Sequence, residues 1–505
     1  MMAAARFAPT RLARTFAALL GGQLGGRTIR LIYIVVLARL IEPSQLGVYL
    51  YGIAVYIALM GLAGFGQGLL LAARVPQRSA VATWFAHSLT IRLGASAFAG
   101  AVGLVFLWTQ ESDASIRATV ALFVGALLAR SIAAWVREVH VALEDVAWIP
   151  RFETGFRLAE AVIGIALVLA GLGVVWLAGL HFVVWALEAA SSTRLMMARG
   201  RWPARLGYRW RLLRPMLGAS FWHMASIGLI VVISQVGVVG LRLLDAPSAA
   251  VAQFAIAAQG LFALLLVPST LAAALVPALS RVHRRGAGDD QRAVTTLVRW
   301  TLAAGVAVAV LVEGYGAPAV AYVLGPRYAD TATYFAMLAW ATGPYAAAIV
   351  SIQALNALGQ KRRAAAVAAI MLATHIALLA VLFSHAGVIG ACLALIAGAL
   401  LGCAIGASFL GVATKVRGLV WWLVPLIVTA SAAALMRLVP VSAPLLALPL
   451  FVLVLVALAA TRVVAREELA YIGRRFSRGA TQTNSYDRDP TRRPSEHSAS
   501  NMASQ

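Results

Sequence analysis

Four arginines stand inside apolar stretches where an ionised group is costly, and together their side chains would suit a polyanion. Arg27 and Arg30 are spaced i, i+3 in the stretch 15–38, hence on one helical face; Arg92 falls in 83–109 and Arg130 in 116–136. An arginine at a helix centre costs roughly 2.5–3.5 kcal/mol to insert in a bilayer, so such residues face a cavity or a partner. Guanidinium forks bind phosphate oxygens bidentately, and the chemistry this pattern predicts is a clamp for a polyanion such as a phosphate ester. The segment after Arg27 and Arg30 offers no acid before Glu42, which favours a cavity for that pair.

A second set carries both signs of charge. Glu153, Arg157 and Glu160 fall at i, i+4 and i+7 in the stretch 152–172, and Glu188 lies in 174–195. That stripe predicts a structural ion-pair network closing the first half of the molecule, with Arg130 or Arg92 as further partners. His223 and His375 are candidates for proton relay, set against the commoner role of histidine in polar helix contacts. Gln23, Gln67, Gln235, Gln259, Gln353 and Asn356 are candidate sugar contacts if they line a cavity. Otherwise each is an interhelical hydrogen bonder worth about 0.6 kcal/mol. There is no Gly-x4-Gly-Lys-Ser/Thr loop, no His-Glu-x-x-His and no cysteine cluster, so no cofactor or metal centre is expected, and coupling to Na+ or H+ is the open question.

The elements that must position these residues are membrane helices. Over 505 residues the chain is 61% hydrophobic and only 12% charged, with a mean hydropathy of +0.85, far outside the range of soluble domains. Some fourteen apolar stretches follow one another, most of them near the 20 residues a bilayer needs. The first six are read at 15–38, 46–72, 83–109, 116–136, 152–172 and 174–195, and the next six at 216–241, 248–277, 295–324, 331–357, 364–384 and 386–412. A final pair is read at 418–438 and 444–463. The fold class is all-α and integral to the membrane, as two six-helix lobes plus two C-terminal helices.

The net charge of +23 would ordinarily raise nucleic acid as a partner, but the arginines sit at helix ends and not on one patch. With both termini cytoplasmic, the outer loops receive only Arg39, Arg117, Arg242, Arg327 and Arg437, and alternate loops obey the positive-inside rule. The domain reading is an N-lobe over 1–195, a basic linker at 196–215 rich in arginine, a C-lobe over 216–413, the last two helices over 414–464 and a cytoplasmic tail over 465–505, disordered from about 479. A weak echo relates the halves. Ala38-Arg39-Leu40 with Pro43-Ser44 follows the first span, and Leu241-Arg242-Leu243 with Pro247-Ser248 follows the seventh. Parallel repeats of this kind are a common transporter plan.

The turn Leu37-Ala38-Arg39-Leu40-Ile41-Glu42-Pro43 with Gly47 and Tyr49 resembles the first-hairpin signature of the polysaccharide (O-antigen type) flippases of the multidrug/oligosaccharidyl-lipid/polysaccharide exporter superfamily. Pro268 with Ala274-Leu275-Val276-Pro277-Ala278-Leu279-Ser280-Arg281 is similar to that family's eighth helix, and Leu324-Gly325-Pro326-Arg327-Tyr328 and Gln353-Ala354-Leu355-Asn356-Ala357-Leu358-Gly359 are similar to the two ends of its tenth. The resemblance implies a V-shaped pair of lobes around a central cavity that moves a polyprenyl-diphosphate oligosaccharide between leaflets of the cytoplasmic membrane by alternating access. Glycosyltransferases and a polymerase of the same pathway would be partners. Arg27 precedes Arg39 by twelve residues, as a cavity arginine does in the related lipid II flippases, but Tyr33 stands where those have a second arginine. Ser234 and Gln235 occupy a position where many relatives carry an acid, which argues against borrowing ion coupling for that site. The rival readings are a cation-coupled multidrug exporter of the same superfamily, a membrane sugar polymerase or ligase, and a non-transporting assembly scaffold.

Overall fold

The computed structural model describes residues 9–74, 81–143, 145–203, 205–266, 268, 290–411 and 452. The expected spans at 418–438 and 444–463 (Val452 apart), the tail, and the 274–281 motif lie outside the described residues.

Every described element is helical, because nearly continuous apolar sequence in lipid leaves the helix as the conformation that satisfies its own backbone. The first lobe begins with α1 (Pro9–Leu40) and α2 (Pro43–Ala63), where Pro43 starts the helix at a position whose missing N–H is of no consequence. The span expected at 46–72 is broken: Phe65 and Gly66 turn left-handed, with φ of 44° and 64°, before a short α3 (Gln67–Arg74). Glycine is required at that turn, since a Cβ on Gly66 would lie 2.5 Å from the Cβ of His223. Then come α4 (Val81–Gln110), α5 (Ala114–Ala142), α6 (Ile149–Leu169) and α7 (Val174–Ala198). Asp113 caps α5 by accepting the backbone N–H groups of Ser115 at 2.7 Å and Ile116 at 3.0 Å, which hold its carboxyl below the usual aspartate value.

In the second lobe α8 (Trp210–His223) runs through a π-turn at Met224–Gly228 into α9 (Leu229–Leu243), together one span of 34 residues. Next are α10 (Ser248–Leu264) and α11 (Asp290–Leu324). The expected 331–357 span is two helices, α12 (Ala329–Ala339) and α13 (Thr342–Ala357), bent by 49°. The last described helix, α14 (Lys361–Phe409), is two spans folded at Gly387, whose φ is 55°. Among the described residues seven helices are long and apolar enough to cross a membrane, and the bent pair makes an eighth. The helices α1 and α6 are 32 and 21 residues long but carry several charges in mid-span.

Within the first lobe α5 packs on α7 and α1 on α6, while α2 lies against α4 and α5. Its centre is aromatic: the Phe123 ring meets Tyr49 edge-on at 5.5 Å and His181 at 5.0 Å. The same α2 also packs on α9 and α10 of the second lobe, and glycines allow that approach. A Cβ on Gly47 would sit 1.8 Å from the carbonyl oxygen of Ser248, and one on Gly61 would sit 2.7 Å from that of Gly228. Two lobes are thus joined backbone to backbone along one helix.

Candidate functional site

The mid-membrane charges of α1, α5, α6 and α7 converge on a cavity of about 470 Å³. All of its lining belongs to the first lobe, so it lies within that lobe and not between the two, as the resemblance implied; α2, closely packed on α9 and α10, occupies the interlobe face. Its walls hold five arginines, Arg27, Arg30, Arg130, Arg137 and Arg157, against three glutamates, Glu153, Glu160 and Glu188, an excess of two positive charges. At 1.5 Å per residue, Arg30 and Arg27 stand about 15 and about 20 Å below the end of α1 at Leu40.

The pairing divides these charges into a fixed wall and a free one. Arg157 donates to both Glu160 and Glu188, and Glu160 also meets Nδ1 of His181. Arg137 pairs with Glu153, so that glutamate serves α5 and not its own neighbour Arg157. Trp185 lies under two guanidinium groups, that of Arg157 at 4.0 Å and that of Arg130 at 4.9 Å from the ring centroid, and Arg130 also lies 5.0 Å from the ring of Tyr56. Arg27 and Arg30 make no hydrogen bond or ion pair among the described residues; Arg27 is exposed and Arg30 half-buried. The stripe expected to be a purely structural network therefore forms one side of the same cavity that the α1 arginines face.

Arg92 does not join them. It is 1% exposed and donates to Glu138 at 2.8 Å and to the carbonyls of Gly64 at 2.5 Å and Ser131 at 3.2 Å, away from the cavity. These acceptors satisfy its guanidinium and tie α4 to the end of α2 and to α5, so the structure corrects its placement in the clamp. Gln67 is likewise engaged elsewhere, donating to Ser220 at 2.8 Å and accepting from Ser88 at 2.9 Å. Gln235 donates to Ser234 and Asn356 to Ser226; Gln259 and Gln353 are half-buried, and none of these lines the cavity. The side chain of Gln23 lies outside the described residues. His223 stands at the start of the π-turn and His375 is buried in α14 beside Gly398, both away from the cavity.

Three cavity residues escaped the sequence reading. Arg137 lies one residue past the apolar run 116–136, but α5 continues to Ala142 and keeps it in the helix. His181 and Trp185 precede Glu188 at i, i+4 and i+7 on α7, the same stripe spacing that marks Glu153, Arg157 and Glu160 on α6. The assembled site has free cationic forks on α1, a cation over aromatic rings on α5, and a neutralised wall on α6 and α7. It can hold a dianion; it offers no nucleophile poised by a base.

No protein-family model matches the sequence, and no curated protein does at a significant level. Solved structures do. The lipid II flippase MurJ in an inward closed conformation is 13% identical, covering 87% of this chain and 97% of its own, with a TM-score of 0.65. An inward-facing multidrug resistance MATE family transporter of the MOP superfamily is also 13% identical, covering 80% and 98%, with a TM-score of 0.61. An aspartate-to-asparagine variant of the Vibrio cholerae MATE transporter VcmN is 13% identical, covering 81% and 98%, with a TM-score of 0.56. The chain has the multi-pass helical membrane fold that these MATE transporters and MurJ show.

Proposed function

We propose that the protein is a flippase that carries a polyprenyl-diphosphate oligosaccharide across the cytoplasmic membrane, with both termini cytoplasmic, for cell-surface polysaccharide assembly. The observation that supports this most directly is the unpaired couple Arg27 and Arg30, facing a cavity whose charged lining has two positive charges in excess. A diphosphate diester carries two negative charges, so the headgroup balances that excess while its oxygens accept the free guanidinium donors. The saccharide would occupy the rest of the cavity, beside Tyr33 and Trp185, and the polyprenyl chain would remain in the lipid. Likeness to a lipid II flippase fits the same chemistry. Alternating access moves the loaded site between leaflets, driven by an Na+ or H+ gradient, the membrane potential, or consumption of the product outside. Glycosyltransferases would supply the cargo and a polymerase would consume it.

The multidrug exporter reading draws on the MATE likeness. A cation carrier needs free carboxylates, and here Glu153, Glu160 and Glu188 are each engaged by arginine or histidine. The deciding experiment uses protein in vesicles with a fluorescent polyprenyl-diphosphate saccharide, read by its exposure to a membrane-impermeant quencher. Arg27→Gln and Arg30→Gln are each expected to slow translocation at least about tenfold, the loss of one charge-assisted hydrogen bond, with an unaltered elution profile. Wild-type rates in both variants, or efflux of a cationic dye by the wild type, would overturn the proposal.

A further inference from the structure

We infer that Arg39 and Arg242, the arginines of the repeated hairpin sequence, are crossed latches that hold the two lobes together at the end where α1 meets α2, and that this end opens when they release.

Arg39, at the end of α1, reaches into the second lobe. Its Nε donates to the carbonyl of Val323 at 2.7 Å, and its Nη2 donates to that of Tyr322. Both are last-turn carbonyls of α11, which ends at Leu324 and so leaves them without an intrahelical partner, at the negative pole of the helix. Arg242, at the end of α9, reaches the opposite way. Its Nε and Nη2 donate to the two carboxylate oxygens of Glu111, each at 3.0 Å, and Glu111 directly follows the end of α4 at Gln110. In both cases an arginine on the first span of one set of six closes on the end of the third span of the other. The echo in the sequence is thus a pair of equivalent contacts running in opposite directions.

Between the two latches the hairpins abut directly, Gly47 against the carbonyl of Ser248. Glu111 is nearly enclosed, with 4% of its side chain exposed against 26% for Arg242, so water does little to weaken the pair. A third crossing, Arg327 to Glu42 at 3.4 Å, is more than half exposed on both sides and adds little. Any parting of the lobes at this end must break these bonds.

The test reads distance and needs no cargo, so it stands apart from any failure of the flippase proposal. Spin labels at Thr109→Cys and Leu243→Cys, exposed and on opposite lobes, are placed in a Cys392→Ala, Cys403→Ala background, and their separation is measured by double electron–electron resonance. The otherwise native protein is expected to show one short distance. Glu111→Gln and Arg39→Gln should each raise the population at longer distance by about tenfold, as expected for a lost charge-assisted hydrogen bond. The swap Glu111→Arg with Arg242→Glu should restore the short distance, which a merely misfolded variant would not do. Unchanged distances in the single variants, or a well-folded swap that stays as open as they are, would overturn the inference.

Discussion

Replacing Arg92 with methionine separates an arginine that builds the lobe from the arginines that serve its cavity. The substitution keeps the aliphatic stem but removes the donors to Glu138, Gly64 and Ser131, leaving a partly buried carboxylate without its partner, while the Gly64 carbonyl keeps the N–H of Gln67 at 3.1 Å. Breaking a buried pair from one side costs about 3–5 kcal/mol. Because Glu138 keeps 23% of its side chain in contact with the surroundings, the low end, about 3 kcal/mol, applies. For a cooperative unit of about 200 residues that corresponds to a fall of roughly 6–12 °C in melting temperature. The measurement is thermal unfolding of the solubilised protein, followed by tryptophan fluorescence. Arg92→Met combined with Glu138→Leu should recover much of the loss, since replacing both partners leaves no orphan charge. Arg30→Gln should melt with the wild type. If Arg92→Met melts with the wild type yet abolishes translocation, Arg92 belongs to the transport path and its structural assignment fails.

Gly164→Ala would place a methyl group 2.1 Å from the hydroxyl of Tyr33 and 2.8 Å from its ring carbon Cζ and drive that ring toward the cavity, so translocation should fall several-fold and return when the ring is removed by Tyr33→Leu; loss without rescue counts against the geometry. Glu188→Gln takes the charge from one of the two carboxylates that pair with Arg157 and raises the positive excess of the lining by one. At an effective dielectric of about 20 and about 8 Å that is worth roughly 2 kcal/mol toward an anion, so pyrophosphate binding measured by calorimetry should tighten, and weaker binding would refute it. At the loop before α6, burial would raise the Asp145 carboxyl, but the hydrogen bond from Arg201 and the charges of Arg199 and Arg201 outweigh it and hold it below its ordinary 3.8. A depressed carboxyl contributes above its unfolded value and loses that contribution as pH falls through the folded one. The linker should therefore stay docked from neutrality down to about pH 4, whereas Asp145→Asn should speed tryptic cleavage at Arg199 to Arg205 at neutral pH; equal cleavage would exclude the tether.

Much of the architecture is legible in the chain because lipid imposes a length and a polarity that hydropathy reads directly. The spans of α4, α6, α7 and α9 begin or end within a few residues of the apolar runs that predict them. What escapes is set by contacts between distant segments. The break at Phe65 and Gly66 answers to His223 on another helix, and the fate of Arg92 depends on two main-chain carbonyls that no residue type announces. Arg27 and Arg30 were readable as cavity residues because an unpaired charge on an apolar helix has few places to go. The α6 stripe was readable as ion-paired, but that its wall faces the same space was not, since pairing and exposure to a cavity leave the same pattern in sequence. Arg39 and Arg242 look like ordinary interfacial anchors until the opposite lobe supplies their acceptors.

The π-turn at Met224–Gly228 acts as an angular spacer upstream of one latch. A π-turn holds a residue more than a regular helix would need for the same advance, and each helical residue turns the chain by about 100°. If the same residues ran instead as an unbroken α-helix, the extra residue would no longer be absorbed, and the far half, every apolar residue of it still apolar, would be rotated by about 100°. Arg242 would then point away from Glu111, and Gly228 would leave its seat against Gly61. The phase of this span, invisible to hydropathy and to composition alike, therefore decides whether the two lobes recognise each other.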